Sequence, residues 1–216
     1  MAKKAYVGVN GLARNITKMY VGINGVAHKI KAAYVGVNGV ARKFFGGTPA
    51  TNFTTSPLPR NWSGEGVAAN TVYTASNTLG EWKCYADQKF GSTTQCWKMF
   101  DGDANTTAIT NAYTAATTAV LELPTGIYIK PTQLTMVLGS YFGKNSTVQG
   151  RRRGTTTWDT FYTQASGTGS TTTTNVTQPV STNYFYDQFR VVYTGASSYH
   201  PRIKELDITA GTIDEH

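Results

Sequence analysis

The chain has 216 residues, 15% of them charged, with 22 Gly and 13 Tyr, which is room for one substantial domain and something smaller. No apolar run approaches the roughly 20 residues of a membrane span, and no apolar signal core follows Met1-Ala2-Lys3-Lys4, so the expectation is a cytoplasmically made chain without membrane insertion. The net charge of +8 belongs to residues 1–45, which hold eight Lys or Arg and no Asp or Glu; residues 46–216 hold twelve of each, and a formally neutral main body argues against a nucleic-acid partner.

Residues 1–45 repeat with a 14-residue period: Tyr6-Val7-Gly8-Val9-Asn10-Gly11, Tyr20-Val21-Gly22-Ile23-Asn24-Gly25 and Tyr34-Val35-Gly36-Val37-Asn38-Gly39. Asn-Gly between alternating runs marks a two-residue hairpin turn, because a type I′ turn needs positive φ twice. The expected register sets Val9 opposite Leu12, Gly8 opposite Ala13 and Val7 opposite Arg14. One face then carries Val7, Val9, Leu12 and Ile16, and the other Tyr6. A lone hairpin is not stable in water, so three in series need each other, a partner, or identical chains around an axis. The assembly candidates are Tyr6, Val7, Asn10, Tyr20, Val21, Asn24, Tyr34, Val35 and Asn38. A meander that merely decorates the N-terminus is the plainer alternative. The interleaved Lys and Arg read as edge charges that discourage strand pairing. The repeat resembles tandem Tyr-Val-Gly-Val-Asn-Gly-Val-Ala-Arg-Lys units of bacteriophage tail and related structural proteins.

Residues 46–66, with Gly46-Gly47-Thr48-Pro49 and Ser56-Pro57-Leu58-Pro59, are expected to be a connector, since Gly-Gly and Pro break a strand ladder. From Val67, short runs such as Val120–Leu123, Leu134–Leu138 and Phe189–Tyr193 alternate with Gly, Thr and Asn turns. No helix of three turns is expected. The reading is all-β: N-terminal hairpin repeats in 1–45, then an antiparallel jelly-roll sandwich of about eight strands over 67–216. Cys84 and Cys96 read as free thiols rather than a bridge.

Within that domain Phe100-Asp101-Gly102-Asp103 turns two carboxylates toward one point, the kind of oxygen-rich turn a hard cation requires. The same residues also serve as ordinary turn formers that cap backbone N–H groups. Trp97 to Asp103, Thr147-Val148-Gln149-Gly150, Thr157-Trp158-Asp159-Thr160, Tyr184 to Tyr193 and Arg202 to Ile208 follow one another in the order of motifs in discoidin-type domains, the coagulation-factor type C and galactose-binding-like family, which this part of the chain resembles. The resemblance implies one structural calcium, with Asp101, Asp103, Thr106 and Glu205 as ligand candidates and a carbonyl near Met99. Ile109 departs from the Trp often found at that place in the family.

The resemblance also implies a shallow site at one end of the sandwich, usually for sugars. Trp82, Tyr141, Phe142 and Tyr199 are stacking candidates, and Asp87, Lys144, Asn145 and His200 polar ones; core packing is the competing role for each aromatic. Arg151-Arg152-Arg153 reads either as a grip on an anionic neighbour or as a solvated turn. The three His lack a nucleophile or zinc motif nearby, so no enzyme is expected. The functional reading is a virion protein of a phage tail or baseplate, assembled in the bacterial host cytoplasm. Its partners would be other virion proteins, copies of itself and a host-surface glycan bound by the sandwich as an adhesin. The alternative is a decoration or collar protein with no glycan binding.

Overall fold

A computed structural model describes residues 6–9, 12–15, 20–23, 26–29, 33–37 and 40–45 as backbone, and residues 50–110, 116–168, 173–194 and 200–215 in full. The chain divides into two compact units, 1–49 and 50–215. In the first, six strands form three antiparallel pairs: β1 (Tyr6–Val9) with β2 (Leu12–Asn15), β3 (Tyr20–Ile23) with β4 (Val26–Lys29), and β5 (Ala33–Val37) with β6 (Val40–Phe45). Val9 lies opposite Leu12 and Val7 opposite Arg14. The tips, with Asn10, Asn24 and Asn38, lie outside the described residues, as do the side chains of the other assembly candidates.

Among the described residues the second unit holds eleven strands: β7 (Thr51–Phe53), β8 (Tyr73–Asn77), β9 (Gly80–Ala86), β10 (Ala108–Ile109), β11 (Thr117–Glu122), β12 (Ile127–Leu138), β13 (Thr147–Arg152), β14 (Trp158–Thr163), β15 (Thr174–Pro179), β16 (Tyr186–Tyr193) and β17 (Arg202–Glu215). One helical element is described, a 3₁₀ turn at Cys96–Met99. None of the described residues forms a helix long and apolar enough to cross a membrane.

All pairings are antiparallel and fall into two layers. One runs β15-β12-β17, with β7 and β10 on the outer edge of β17; the other runs β14-β13-β16-β11-β9-β8. Among the described residues one pairing, Ile129 with Tyr186, joins them. Alternation explains the layering. In β12, Ile127, Ile129, Leu134, Met136 and Leu138 are buried while their neighbours are more exposed, and in β16 Phe189, Val191 and Tyr193 meet them from the other layer. Pro131 interrupts β12 where the register shifts, which a residue without an N–H donor requires. Burying this apolar set at roughly 25 cal/mol per Å² is the main force holding the layers together.

The connector expected at 46–66 is narrower than its composition suggests. Thr51–Phe53 pairs with Gly211–Ile213, and Leu58 and Trp62 are 5% and 6% exposed in the core. Trp62 meets Phe100 at 6.4 Å between ring centres. Prolines 57 and 59 prevent a ladder, but they do not prevent burial of the apolar residues between and after them. The sandwich therefore begins near residue 50, not 67.

Candidate functional site

The turn after the 3₁₀ element is held by its apolar entry. Met99 and Phe100 are fully buried, and the Phe100 N–H donates to the Trp97 carbonyl at 2.9 Å. Asp101 then accepts from the Asp103 N–H through Oδ1 (2.9 Å) and from the Thr106 hydroxyl through Oδ2 (2.8 Å). The same hydroxyl lies 3.0 Å from the Asp103 carbonyl and 3.3 Å from the Lys98 carbonyl. One hydroxyl has one proton, so it serves only one of three acceptor oxygens at a time. Burial raises the Asp101 pKa above its ordinary value, against the hydrogen bonds that lower it.

Beside this turn stands Glu205, 6% exposed, with Oε2 lacking a hydrogen-bond partner. Burial, then the nearby Asp207 carboxylate, push its pKa up to about 8, with Arg60 opposing. Arg60 donates to the Phe100 carbonyl (3.1 Å), to Glu205 Oε1 (3.5 Å) and to both oxygens of Asp207 (2.8 and 2.7 Å). Its guanidinium lies against Gly102, where a Cβ would fall 2.6 Å from Arg60 Nε and where φ is +77°. The positive φ favours glycine here, and a Cβ would also oblige the Arg60 side chain to shift.

Among the described residues no three His, Cys, Asp or Glu side chains gather as a metal cluster. The Asp103 carboxylate turns to the Asn105 backbone and side-chain N–H groups (2.9 and 2.8 Å). The converging carbonyl belongs to Lys98, while Met99 offers its sulfur to the Tyr193 hydroxyl at 3.9 Å. What converges is all oxygen: the Lys98 and Asp103 carbonyls, Asp101 Oδ2 and Thr106 Oγ1. With an unpartnered Glu205 oxygen nearby, that donor set fits a hard cation.

The sugar-site candidates separate into three groups. Trp82 and Phe142 are fully buried, so neither is a stacking surface. Trp82 donates from Nε1 to Asn77 Oδ1 at 3.1 Å, and Phe142 packs edge-on against Tyr193 with ring centres 5.7 Å apart. Asp87 is exposed, but its Oδ1 accepts the Thr118 N–H at 2.8 Å, which ties β9 to β11. Tyr199 lies outside the described residues.

Tyr141, Lys144, Asn145 and His200 are brought toward one end of the sandwich. The loop at 139–146 follows β12, and that at 164–168 follows β14. Thr168 joins them, accepting the Phe142 N–H (2.8 Å) and donating to the Gly139 carbonyl (2.7 Å). The Asn145 N–H donates to the Gln164 carbonyl at 2.8 Å. A third segment is tied in where Ser146 Oγ accepts the Thr194 N–H (3.0 Å) and the Gly139 N–H donates to the Arg202 carbonyl (3.1 Å). Lys144 and Asn145 are exposed, and Tyr141 and His200 half-buried. Tyr141 has φ +59° and Asn145 +66°. Asn tolerates that region, but for a bulky side chain it is a costly exception that the surroundings must enforce.

The arginine triplet is neither a free grip nor a solvated turn. Arg151 pairs with Asp187, Arg152 with Asp159 and Arg153 with Asp214, at 2.8, 2.7 and 3.2 Å. Arg152 also stacks on Tyr184 and Arg153 on Tyr128, at 3.8 and 3.9 Å from the ring centres. Bonds from Arg152 and the Tyr186 hydroxyl hold the Asp159 carboxyl below its usual range.

No protein-family model and no curated protein matches the sequence. Solved structures with a similar chain trace are found. They include the family 62 carbohydrate-binding module of Clostridium thermocellum Xyl5A (21% identity, 64% of this chain and 97% of that one, TM-score 0.48). Chitosan-binding module 1 of a Paenibacillus chitosanase/glucanase (19%, 57% and 91%, 0.45) and the family 32 module of Clostridium perfringens NanJ with galactose (12%, 61% and 93%, 0.42) are further examples. What these modules bind belongs to those modules.

Proposed function

We propose that the sandwich is a glycan-binding adhesin domain of a phage virion protein, carried by the hairpin repeats, with the sugar seated on the loop end at Tyr141, Lys144, Asn145 and His200. The observation that carries this reading is Tyr141: a bulky residue kept in the left-handed region by a loop pinned through Thr168, Gln164 and Thr194. One loop thus carries a conformationally constrained aromatic residue together with exposed Lys144 and Asn145, the combination of plane and polar groups that sugars need. The tail or baseplate placement rests on the resemblance of the repeats.

Glycan-array binding compared with Tyr141→Gly tests it. Glycine adopts φ +59° freely, so the variant is expected to melt no lower than the parent while its best array signal falls about tenfold or more. No signal for the parent, or an undiminished signal for the variant, would return the protein to a decoration or collar role.

The oxygen cluster at Lys98, Asp101, Asp103 and Thr106 is proposed as a structural calcium site, with Glu205 completing it from β17. Bound calcium would neutralise the Asp101 and Glu205 carboxylates and tie the turn to the closing strand. Chelator is expected to lower the melting temperature. The loss is about 2.7 kcal/mol when calcium had stood at a hundredfold excess over its Kd. Asp101→Asn should reproduce that drop and be insensitive to chelator. Because the Asp103 carboxylate faces Asn105, Asp103→Asn should retain most of the response. A melt indifferent to chelator removes the metal.

A further inference from the structure

Cys84 and Cys96 meet in the core of the sandwich. Their sulfurs are 3.3 Å apart, and the residues are 0% and 1% exposed. Cys84 sits mid-sheet, opposite Tyr73 of β8 and Leu121 of β11, so it has little freedom to move. Cys96 is the first residue of the 3₁₀ turn, at the end of a nine-residue loop that follows β9. Burial, together with the Cys96 contact, pushes the Cys84 thiol pKa up, so Cys84 is held as a neutral thiol in an apolar setting.

We propose that Cys84 and Cys96 are an oxidation site, closed to an intrachain disulfide when the chain folds in the presence of a small-molecule disulfide such as oxidised glutathione. The thiolate of one cysteine attacks the glutathione disulfide, forming a mixed disulfide and releasing one glutathione thiolate. The other cysteine then attacks the protein sulfur of that mixed disulfide and releases the second. Two protein thiols are oxidised, one disulfide is reduced to two thiols, and the two protons pass to the departing thiolates. Exchange belongs to the folding chain, because in the finished fold neither sulfur is reachable by glutathione.

Geometry favours closure over two separate adducts. A disulfide needs its sulfurs about 2.05 Å apart, an approach of little more than an ångström from the contact already present. The movable partner is Cys96, since the loop before it can absorb the shift while β9 stays paired. The bridge would fix the start of the turn whose next residues supply the Lys98 carbonyl and the Asp101 carboxylate. It would therefore stiffen the oxygen cluster from its N-terminal side without being part of it.

The test uses the full chain, refolded from denaturant in glutathione buffers of graded redox ratio, quenched with acid and weighed intact. A parallel series stays in denaturant. The bridged species, two mass units lighter than the dithiol, is expected at glutathione ratios about tenfold or more further toward the reduced side in the refolded series than in the denatured one. Peptide mapping should show the 84–96 link, and the bridged protein should melt several degrees above the reduced one. Glutathione adducts in place of the bridge, or equal bridging in both series, would overturn the proposal. Cys96→Ala supplies the control: it should show no mass loss and no oxidant-dependent melt. If that variant fails to fold, the parent's two series decide the question unaided.

Discussion

Trp82→Ala is expected to cost about 3–5 kcal/mol, the range for emptying a buried aromatic site, and to leave a folded fraction that still binds whatever the parent binds. Trp82 is fully buried on β9, paired through Ala75 on the neighbouring strand. Its indole N–H is satisfied by Asn77. Against a total stability of 5–15 kcal/mol for an ordinary domain, the loss is large enough to unfold much of the population near body temperature. Trp82→Phe keeps most of the volume and should cost much less, chiefly the lost hydrogen bond at about 1 kcal/mol. Denaturant titration followed by tyrosine fluorescence measures both. A selective loss of glycan binding in Trp82→Ala at unchanged stability would put this residue back on the recognition surface.

A second large effect is expected from pH. The Glu205 carboxyl has a folded pKa of about 8 against 4.5 in the unfolded chain, so the folded state holds its proton more tightly. Its contribution to stability is complete below about pH 4.5 and is lost as pH rises toward 8, because charging the group inside the fold is unfavourable. In chelator the stability curve should therefore fall by something on the order of 3 kcal/mol across that window. Glu205→Gln should flatten the fall, since Asp207 alone still holds the Arg60 fork. Calcium would act the opposite way by favouring the charged carboxylate, so added calcium should erase the slope in the parent and do little in the variant. A parent curve that is flat from pH 5 to 8 in chelator would contradict the buried, proton-holding Glu205.

Most of the local structure is legible along the chain. In β9, Trp82, Cys84 and Ala86 alternate with Glu81, Lys83 and Tyr85, and that period of two already points the indole and the thiol inward. Reading Trp82 as a sugar platform gave its chemistry more weight than its alternation. Phe142 is harder, because it lies in an irregular loop where no period operates. Its burial depends on Tyr193, 51 positions away, and on the Thr168 bonds that set the loop. Tyr141, one residue earlier, has its backbone turned to φ +59° and is only half-buried.

Arg60 left no local trace. It stands in a Pro-rich segment that looks like a connector, and its partners Glu205 and Asp207 are 145 and 147 positions away. Without it, Asp101, Asp103 and Glu205 suggest three carboxylates waiting for an ion; with it, Glu205 Oε1 already has a donor at 3.5 Å and the neighbouring Asp207 carboxylate is paired.

What depends on near neighbours is legible along the chain: an all-β chain, the 14-residue repeat, the strand runs around Leu121, Met136 and Val191, and a tight turn at Asp101-Gly102-Asp103. These follow from side-chain alternation, Gly and Asn conformational freedom, and Asp capping, all of which act within a few residues. Long-range packing sets which aromatics are core and which lie at the loop end, pairs the three arginines with Asp187, Asp159 and Asp214, and brings Cys84 against Cys96. It also draws the segment at 51–62 into the sandwich. Each of these depends on contacts made when two layers close on one another, where burial and charge pairing between distant residues outweigh local preference.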